Sequence, residues 1–374
     1  MVDTLGQYEK IRAEIETGIR EVLESTAYIN GPSVHRFTEN LSNFLDAKVI
    51  ACANGTDAIQ VALMALGLQP GDEVITPTFT FVATAEVIAL LGLTPVMVDV
   101  DPDTFNISTA AIEAAITPKT KCIIPVHLFG QPADMEKIMQ IADKHNIFVV
   151  EDNAQSIGAD YLFRDGSKMK VGTIGHIGCT SFYPSKNLGA YGDAGAVFSR
   201  DEKLADKIRL ICNHGSKVKY QHIEIGVNSR LDSIQAVVLD TKLKYLETYN
   251  SARQMAAEIY DSLLKNIPGI QIPVRTHNGS HIFHQYTIRI LAGKARRDAI
   301  KKGLEEKGVP TMIYYPASIH QQAAFKKFPS SSNSFPESDR IVGEVLSLPM
   351  HTELDRAQIE YICNSLTQTL TQNP

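Results

Sequence analysis

Apolar residues recur at helical spacing near the start of the chain, at Ile11, Ile15, Ile19, Val22 and Leu23, and predict an amphipathic helix. Gly31 and Pro32 break that pattern, and a second helix is expected over 34–45. Short β-branched runs then alternate with helical stretches. The runs are VIACA, GDEVITP, PVMVDV, KCIIPVH and IFVVED; the helices are expected over 56–68, 79–91, 110–116 and 134–145. That alternation predicts an α/β fold with a mainly parallel sheet, covered by helices on both faces. Right-handed crossovers would gather the loops after the strands along one edge, where ligands usually bind. Beyond about Asn250 the texture changes to a long helix over 251–265, a strand-like HQYTIRI, and helices over 297–307 and 356–369. The expected division is a large α/β unit over 1–250 and a smaller α+β unit over 251–374. KKFPSSSNSFPES reads as a surface loop, and no internal repeat occurs.

Composition narrows the classes. A chain of 374 residues is long for one core, and 44% hydrophobic with 21% charged residues is ordinary for a globular protein. The net charge of −6 has no long basic or acidic block, which argues against nucleic acid or a membrane surface as partner. Five cysteines, Cys52, Cys122, Cys179, Cys212 and Cys363, are scattered and odd in number. They suit a reducing compartment, without a disulfide framework or a metal site. No apolar stretch approaches the roughly 20 residues a membrane span needs. The acid-rich N-terminus does not read as a signal peptide, so a cytoplasmic location is expected.

Candidate chemistry centres on two segments. VVEDNAQSIGA puts Asp152 and Gln155 where an apolar run meets a loop, and SFYPSKNLGAYGDAGAV puts Lys186 after a second run. An amine and a carboxylate from neighbouring strand ends suit pyridoxal phosphate: the amine bonds to its aldehyde, and the carboxylate keeps its ring nitrogen protonated. CANGTDAIQ sets Gly55 and Thr56 at a strand-to-helix junction, where free N–H groups attract phosphate; a Thr cap or an Asn-Gly turn explains it equally. Ser181 is a second candidate phosphate donor, since it precedes Lys186 on the same strand end, and Phe81 either stacks on a ring or lies in the core. Asn228 and Arg230 precede an apolar helix, as cap and surface residue or as ligand contacts. Tyr315 and His320 sit together in IYYPASIHQQAAF. GTIGHIG is not a dinucleotide fingerprint, and no GxxxxGK[ST], GxSxG or HExxH is present.

ANGTDA, GDEVITPTFTFVATA, PVMVDVDPDTFNI, IIPVHLFGQPADM, VVEDNAQSIGA, SFYPSKNLGAYGDAGAVF, NHG, IGVNSRLDSIQA and LSLPMH fall in one order. Together they resemble the DegT/DnrJ/EryC1/StrS family of sugar aminotransferases, from about Gly31 to Met350. The resemblance implies a fold type I pyridoxal-phosphate transferase, homodimeric, with active sites shared between subunits. It makes Lys186 the Schiff-base lysine and Asp152 the partner of the pyridinium nitrogen. Gln155 would face the ring, Phe81 would stack on it, and Gly55, Thr56 and Ser181 would hold the phosphate. Asn228 would reach that phosphate from the neighbouring subunit. Arg230, Tyr315 and His320 lie in segments facing the nucleotide-sugar. Asn153 replaces the family's more usual alanine, and Ala194 interrupts its common GDGG.

The implied reaction moves an amino group from L-glutamate, released as 2-oxoglutarate, through pyridoxamine phosphate to a nucleoside-diphosphate keto-sugar. Lys186 would serve as general base and acid. A 3-keto sugar is favoured, with UDP-2-acetamido-3-keto-glucuronate first, a dTDP-linked 3-keto-6-deoxyhexose next and 4-keto sugars after these. The product would be an amino sugar for a surface polysaccharide or glycoconjugate. Two rivals are a sugar dehydratase, which carries histidine at the Lys186 position, and a non-catalytic regulatory or sensory protein on the same fold.

Overall fold

The computed structural model describes residues 2–372. Its centre is a seven-stranded sheet in the order Lys48–Cys52, Gly195–Ser199, Ile177–Ser181, Phe148–Asp152, Thr120–Ile123, Glu73–Pro77, Thr94–Val98. The last five strands in that order run parallel. Gly195–Ser199 runs against both its neighbours, so Lys48–Cys52 points the same way as the five. The sheet is therefore mainly parallel, as the alternating pattern requires. Its strands are buried on both faces, which is why they read as continuous β-branched runs rather than as alternation.

Helix Gly55–Leu66 covers the middle of one face. Ala58, Ile59, Val61, Ala62, Leu63 and Ala65 are all buried, so this helix is apolar over most of its circumference. Its cap is Asn54, whose side chain accepts from the Asp57 N–H at 2.8 Å; the alternative of a Thr56 cap is thereby excluded. The N-terminal helix is Thr4–Ser25, with Ile11, Ile15 and Val22 buried. Leu23, expected on the same apolar face, is half exposed, because it lies one residue beyond the buried Val22 and so about 100° round the helix.

The helix expected over 79–91 is shorter, Ala83–Leu90. The preceding TFTF bends across the sheet edge, with Phe79 inside beside Val100, Phe105 and Leu128 and Phe81 outside.

A second core forms on a three-stranded antiparallel sheet, Ile270–Gln271, Tyr286–Ile290 and Val345–Leu348. Helices Leu246–Leu264, Lys294–Glu306 and Arg356–Gln372 pack on it through Tyr260, Leu304 and Leu366. Helix Leu246–Leu264 starts with Leu246 in the core under the large sheet and ends with Tyr260 and Leu264 in the second. The division expected after residue 250 thus falls inside one continuous helix.

KKFPSSSNSFPES lies at the surface, with Lys326, Lys327, Pro329, Ser332, Asn333 and Ser334 exposed, but it is anchored at several points. Ser330 and Ser331 are buried, and Phe335 packs with Ala85, Met97 and Ile319. The Ser330 hydroxyl donates to the Pro95 carbonyl at 2.8 Å, and that of Ser338 to Asp99 at 2.6 Å. Small hydroxyl side chains, which favour turns in isolation, here satisfy backbone and carboxylate acceptors at the end of strand Thr94–Val98.

Candidate active site

Strands Lys48–Cys52, Glu73–Pro77, Phe148–Asp152 and Ile177–Ser181 end on the same edge of the sheet. Asp152 is the last residue of its strand and is 6% exposed. Burial raises its pKa. Opposing that are the Thr84 hydroxyl, which donates to Oδ2 at 2.8 Å, and the Ala154 N–H, which donates to Oδ1 at 3.1 Å. The Lys186 charge acts in the same direction as those donors.

Lys186 stands in the loop after Ile177–Ser181, its N–H donating to the Tyr183 carbonyl at 2.8 Å. Burial lowers its pKa to about 8, against the pull of Asp152. The two charges feel each other without forming an ion pair. An amine poised near neutrality beside a buried carboxylate can attack a carbonyl and carry a proton.

Gln155 is locked by two bonds. Its Oε1 accepts from the Phe129 N–H at 2.7 Å, and its Nε2 donates to the Tyr315 hydroxyl at 3.1 Å. Tyr315 also lies 6.4 Å from Phe81, ring centre to ring centre. Phe81 is 55% exposed, so one aromatic face on this edge is open. Burial raises the Tyr315 pKa, and Asp152 adds to the rise. Asp152, Lys186, Gln155, Phe81 and Tyr315 are thus gathered together.

His320 is not presented to this group. It is buried; Nδ1 bonds the Thr78 hydroxyl at 2.8 Å and Nε2 lies 3.1 Å from Asp339. With both ring nitrogens engaged it pins its segment to the end of strand Glu73–Pro77.

Gly55 opens its helix so close to the end of the next-but-one strand that an added Cβ would lie 2.6 Å from Ser181 Cβ. Only glycine permits that approach. With Asn54 taking the cap, the Thr56 hydroxyl has no side-chain partner among the described residues. Ser181 therefore lies beside the start of this helix, where Thr56 follows Gly55 and the free N–H groups of the first turn attract anions.

Asn228 is exposed and pairs with Asn213 as an isolated bridge. Arg230 Nη1 reaches Asn213 Oδ1 at 3.5 Å. Arg230 lines a cleft of about 530 Å³ with His214, Lys217, Lys219, Tyr220 and His222, but Lys186, Asp152 and Gln155 are not part of that lining.

Two features escaped sequence reasoning. Thr84 is one of two polar residues in its helix, Glu86 being the other, so its polarity alone gave no signal. Glu151, fully buried beside Asp152, accepts from His127 Nε2 at 2.9 Å and from the N–H groups of Gly172, Ile174 and Gly175 at 2.8, 2.7 and 2.6 Å. His127 Nδ1 accepts from the Ala133 N–H, so Nε2 carries the proton. This network holds the strand end that bears Asp152, and its long-range partners leave no local mark in the sequence.

Lys186 beside buried Asp152 at the strand ends suits the chemistry of an aminotransferase. The chain belongs to the DegT/DnrJ/EryC1/StrS aminotransferase family, whose model it matches over residues 9–367. It is 46% identical over 98% of its length, and 99% of the relative's, to UDP-2-acetamido-2-deoxy-3-oxo-D-glucuronate aminotransferase of Pseudomonas aeruginosa. A crystal structure of a DegT/DnrJ/EryC1/StrS aminotransferase from Brucella abortus superposes with a TM-score of 0.92. It is 40% identical and covers 98% of this chain and 97% of that one. NtdA from Bacillus subtilis, solved with bound cofactor PMP, superposes with a TM-score of 0.88 at 34% identity, over 97% of this chain and 82% of that one.

Proposed function

We propose that the chain transfers the amino group of L-glutamate to a nucleoside-diphosphate 3-keto sugar, with UDP-2-acetamido-3-keto-glucuronate favoured, using pyridoxal phosphate. The observation that carries this reading is Lys186, with a pKa lowered to about 8 beside buried Asp152, on an edge that also offers a phosphate cradle. The 46% identity to an aminotransferase named for that glucuronate supports the choice of sugar.

The residues fit the cofactor. A negative phosphate matches the helix start at Gly55 and Thr56 with Ser181, and a protonated ring nitrogen matches Asp152. When bound, the cofactor supplies an aldehyde for amines and a ring that accepts electrons from the substrate carbon. Asp152, anionic and fixed by Thr84 and Ala154, would hold the proton on that ring nitrogen. Gln155, fixed by Phe129 and Tyr315, keeps one amide N–H for the ring's phenolic oxygen. Phe81 would cover one ring face and exclude water. Lys186, close to half neutral near pH 8, would take the proton from the amino-donor carbon and return it to the acceptor.

The reading includes a homodimer in which Asn228 of one subunit meets the cofactor phosphate of the other. Its exposure, and the separate cleft that Arg230 lines, support service to a neighbouring site. A large unit over 1–250, a small one over 251–374 and a cytoplasmic location belong to the same reading. No helix among the described residues is long and apolar enough to cross a membrane.

The test offers purified protein L-glutamate with a panel of nucleotide-linked 3-keto and 4-keto sugars, identifying products by mass spectrometry. An amino sugar from the UDP-3-keto-glucuronate alone supports the reading. Amination of a 4-keto sugar only overturns the choice of ketone, and a deoxygenated sugar overturns transamination.

A further inference from the structure

Another lysine, fully buried, has no part in the chemistry above. Lys242, on helix Ser233–Leu243, is 1% exposed. Its Nζ donates to the Gly189 carbonyl at 2.8 Å and lies 4.4 Å above the Tyr191 ring. No carboxylate among the described residues pairs with it, and burial lowers its pKa to about 8. A desolvated, carboxylate-free ammonium is costly in a fold, where a methionine would fill the same space without that cost.

Its one strong acceptor belongs to the loop that carries Lys186. That loop is closed at its neck, where the Ala190 N–H donates to the Phe182 carbonyl at 2.8 Å. Leu188 and Ala190 are set in the core beneath. The far side is held from helix Ser233–Leu243 at two points. Gln235, seven residues before Lys242 and therefore two turns away on the same face, accepts from the Tyr191 N–H at 2.8 Å. Lys242 holds Gly189.

The segment leading into this helix also reaches the phosphate cradle, since the Ser229 hydroxyl accepts from the Ala53 N–H at 3.1 Å. One element therefore sets the lysine loop in register with the strand end before Gly55.

We propose that Lys242 is a positioning residue for Lys186: its ammonium, held on the Gly189 carbonyl, fixes the loop that aims the reacting amine. A charge-assisted bond is about twice as strong as a neutral one, which suits a glycine-containing loop with little side-chain packing on that side. The proposal rests on the reading of Lys186 as the reacting amine.

Its test uses the cofactor-free protein, so that turnover plays no part. Lysines are acetylated with limiting acetic anhydride at pH 8, and peptide mass spectrometry gives the rate at Lys186 relative to exposed lysines such as Lys302. In the wild type Lys186 should react faster than Lys302, because more of it is neutral. In Lys242→Met the loosened loop admits water, the Lys186 pKa climbs back towards its ordinary value, and the relative rate should fall at least fivefold.

An unchanged ratio in Lys242→Met, with or without a lower unfolding midpoint, overturns the positioning role and leaves Lys186 as the reacting amine. A slow Lys186 in the wild type means that the loop does not present a neutral, reachable amine and overturns the positioning role; the reading of Lys186 as the reacting amine is judged separately, by loss of turnover in Lys186→Ala. Should Lys242→Met not fold, the same measurement on Lys242→Gln, which keeps a shorter donor without the charge, decides in the same way.

Discussion

Thr84 and Asp152 are joined by a 2.8 Å hydrogen bond, with the hydroxyl donating to Oδ2 of a carboxylate that burial pushes towards protonation. The bond keeps Asp152 anionic where the low-dielectric surroundings favour the acid. A hydrogen bond to a charged group contributes about 1.5–3 kcal/mol. Thr84→Val keeps the shape and removes the donor, so the glutamate half-reaction should slow by roughly tenfold or more. Asp152→Asn should slow it further, by orders of magnitude, with cofactor still bound. Stopped-flow absorbance of the bound cofactor measures both; a wild-type rate in Thr84→Val would refute this role.

Lys186→Ala should abolish turnover, and mixing this variant with one disabled at Asn228 tests the shared site. If the phosphate contact crosses the interface, each heterodimer carries one site with both defects and one with neither. Activity then climbs towards half the wild-type value per heterodimer. If each site is built within one chain, every site stays defective and no activity returns despite proven subunit exchange.

Asn153 is fully buried, and both its side-chain oxygen and nitrogen are without a hydrogen-bond partner. An unsatisfied buried polar group costs about 1–3 kcal/mol. Asn153→Ala should therefore raise the unfolding midpoint in spite of the small space it leaves, because the lost amide had no bonds to lose. Differential scanning calorimetry would register the rise; a fall would mean that the amide is bonded in solution.

Acid should destabilise the protein from the histidine range downward. His176, His281, His284, His320 and His351 are each held below the usual histidine pKa of 6.5, chiefly by burial. Below that value the unfolded chain takes up protons that the folded chain refuses, so stability falls as pH falls. Asp152, with its pKa raised, acts in the opposite sense, but it is one group against five. His281, pushed down to about 3, should contribute over a wide window, from the usual histidine value down to that pH. His281→Gln should lessen the slope of unfolding free energy against pH by up to about 1.4 kcal/mol per unit below pH 6. Urea titrations at several pH values read that slope directly.

Chemistry and layer order were legible in the sequence because each has a local signature. Lys186, Asp152 and Gly55 stand at ends of β-branched runs, and strand ends are where a parallel sheet collects its loops. Gly195–Ser199 was harder to read, since GAVFS is brief and its place between two strands depends on partners 147 and 18 residues distant along the chain. The surroundings of His320 were illegible for a different reason: Thr78 and Asp339, which engage its nitrogens, are both far away along the chain. Thr84, Glu151 and Lys242 draw their meaning wholly from long-range partners, and spacing carries no trace of those.

The buried serines at 330 and 331 reverse an inference that composition invites. A run rich in serine and proline looks like a flexible tether, the natural place for a protease to cut or for an engineer to insert a tag. Here that run is pinned to the Pro95 carbonyl and the Phe325 carbonyl and is continuous with the packing of Phe335. In the separated subunit cleavage should instead begin at the hairpin Ser216–His222 and just beyond it, where Tyr220 and Ile225 are more than four-fifths exposed, and pairing of subunits through this face should slow it. The stretch that resembles packing string is part of the masonry, and the chain's open seam is the hairpin beside Arg230.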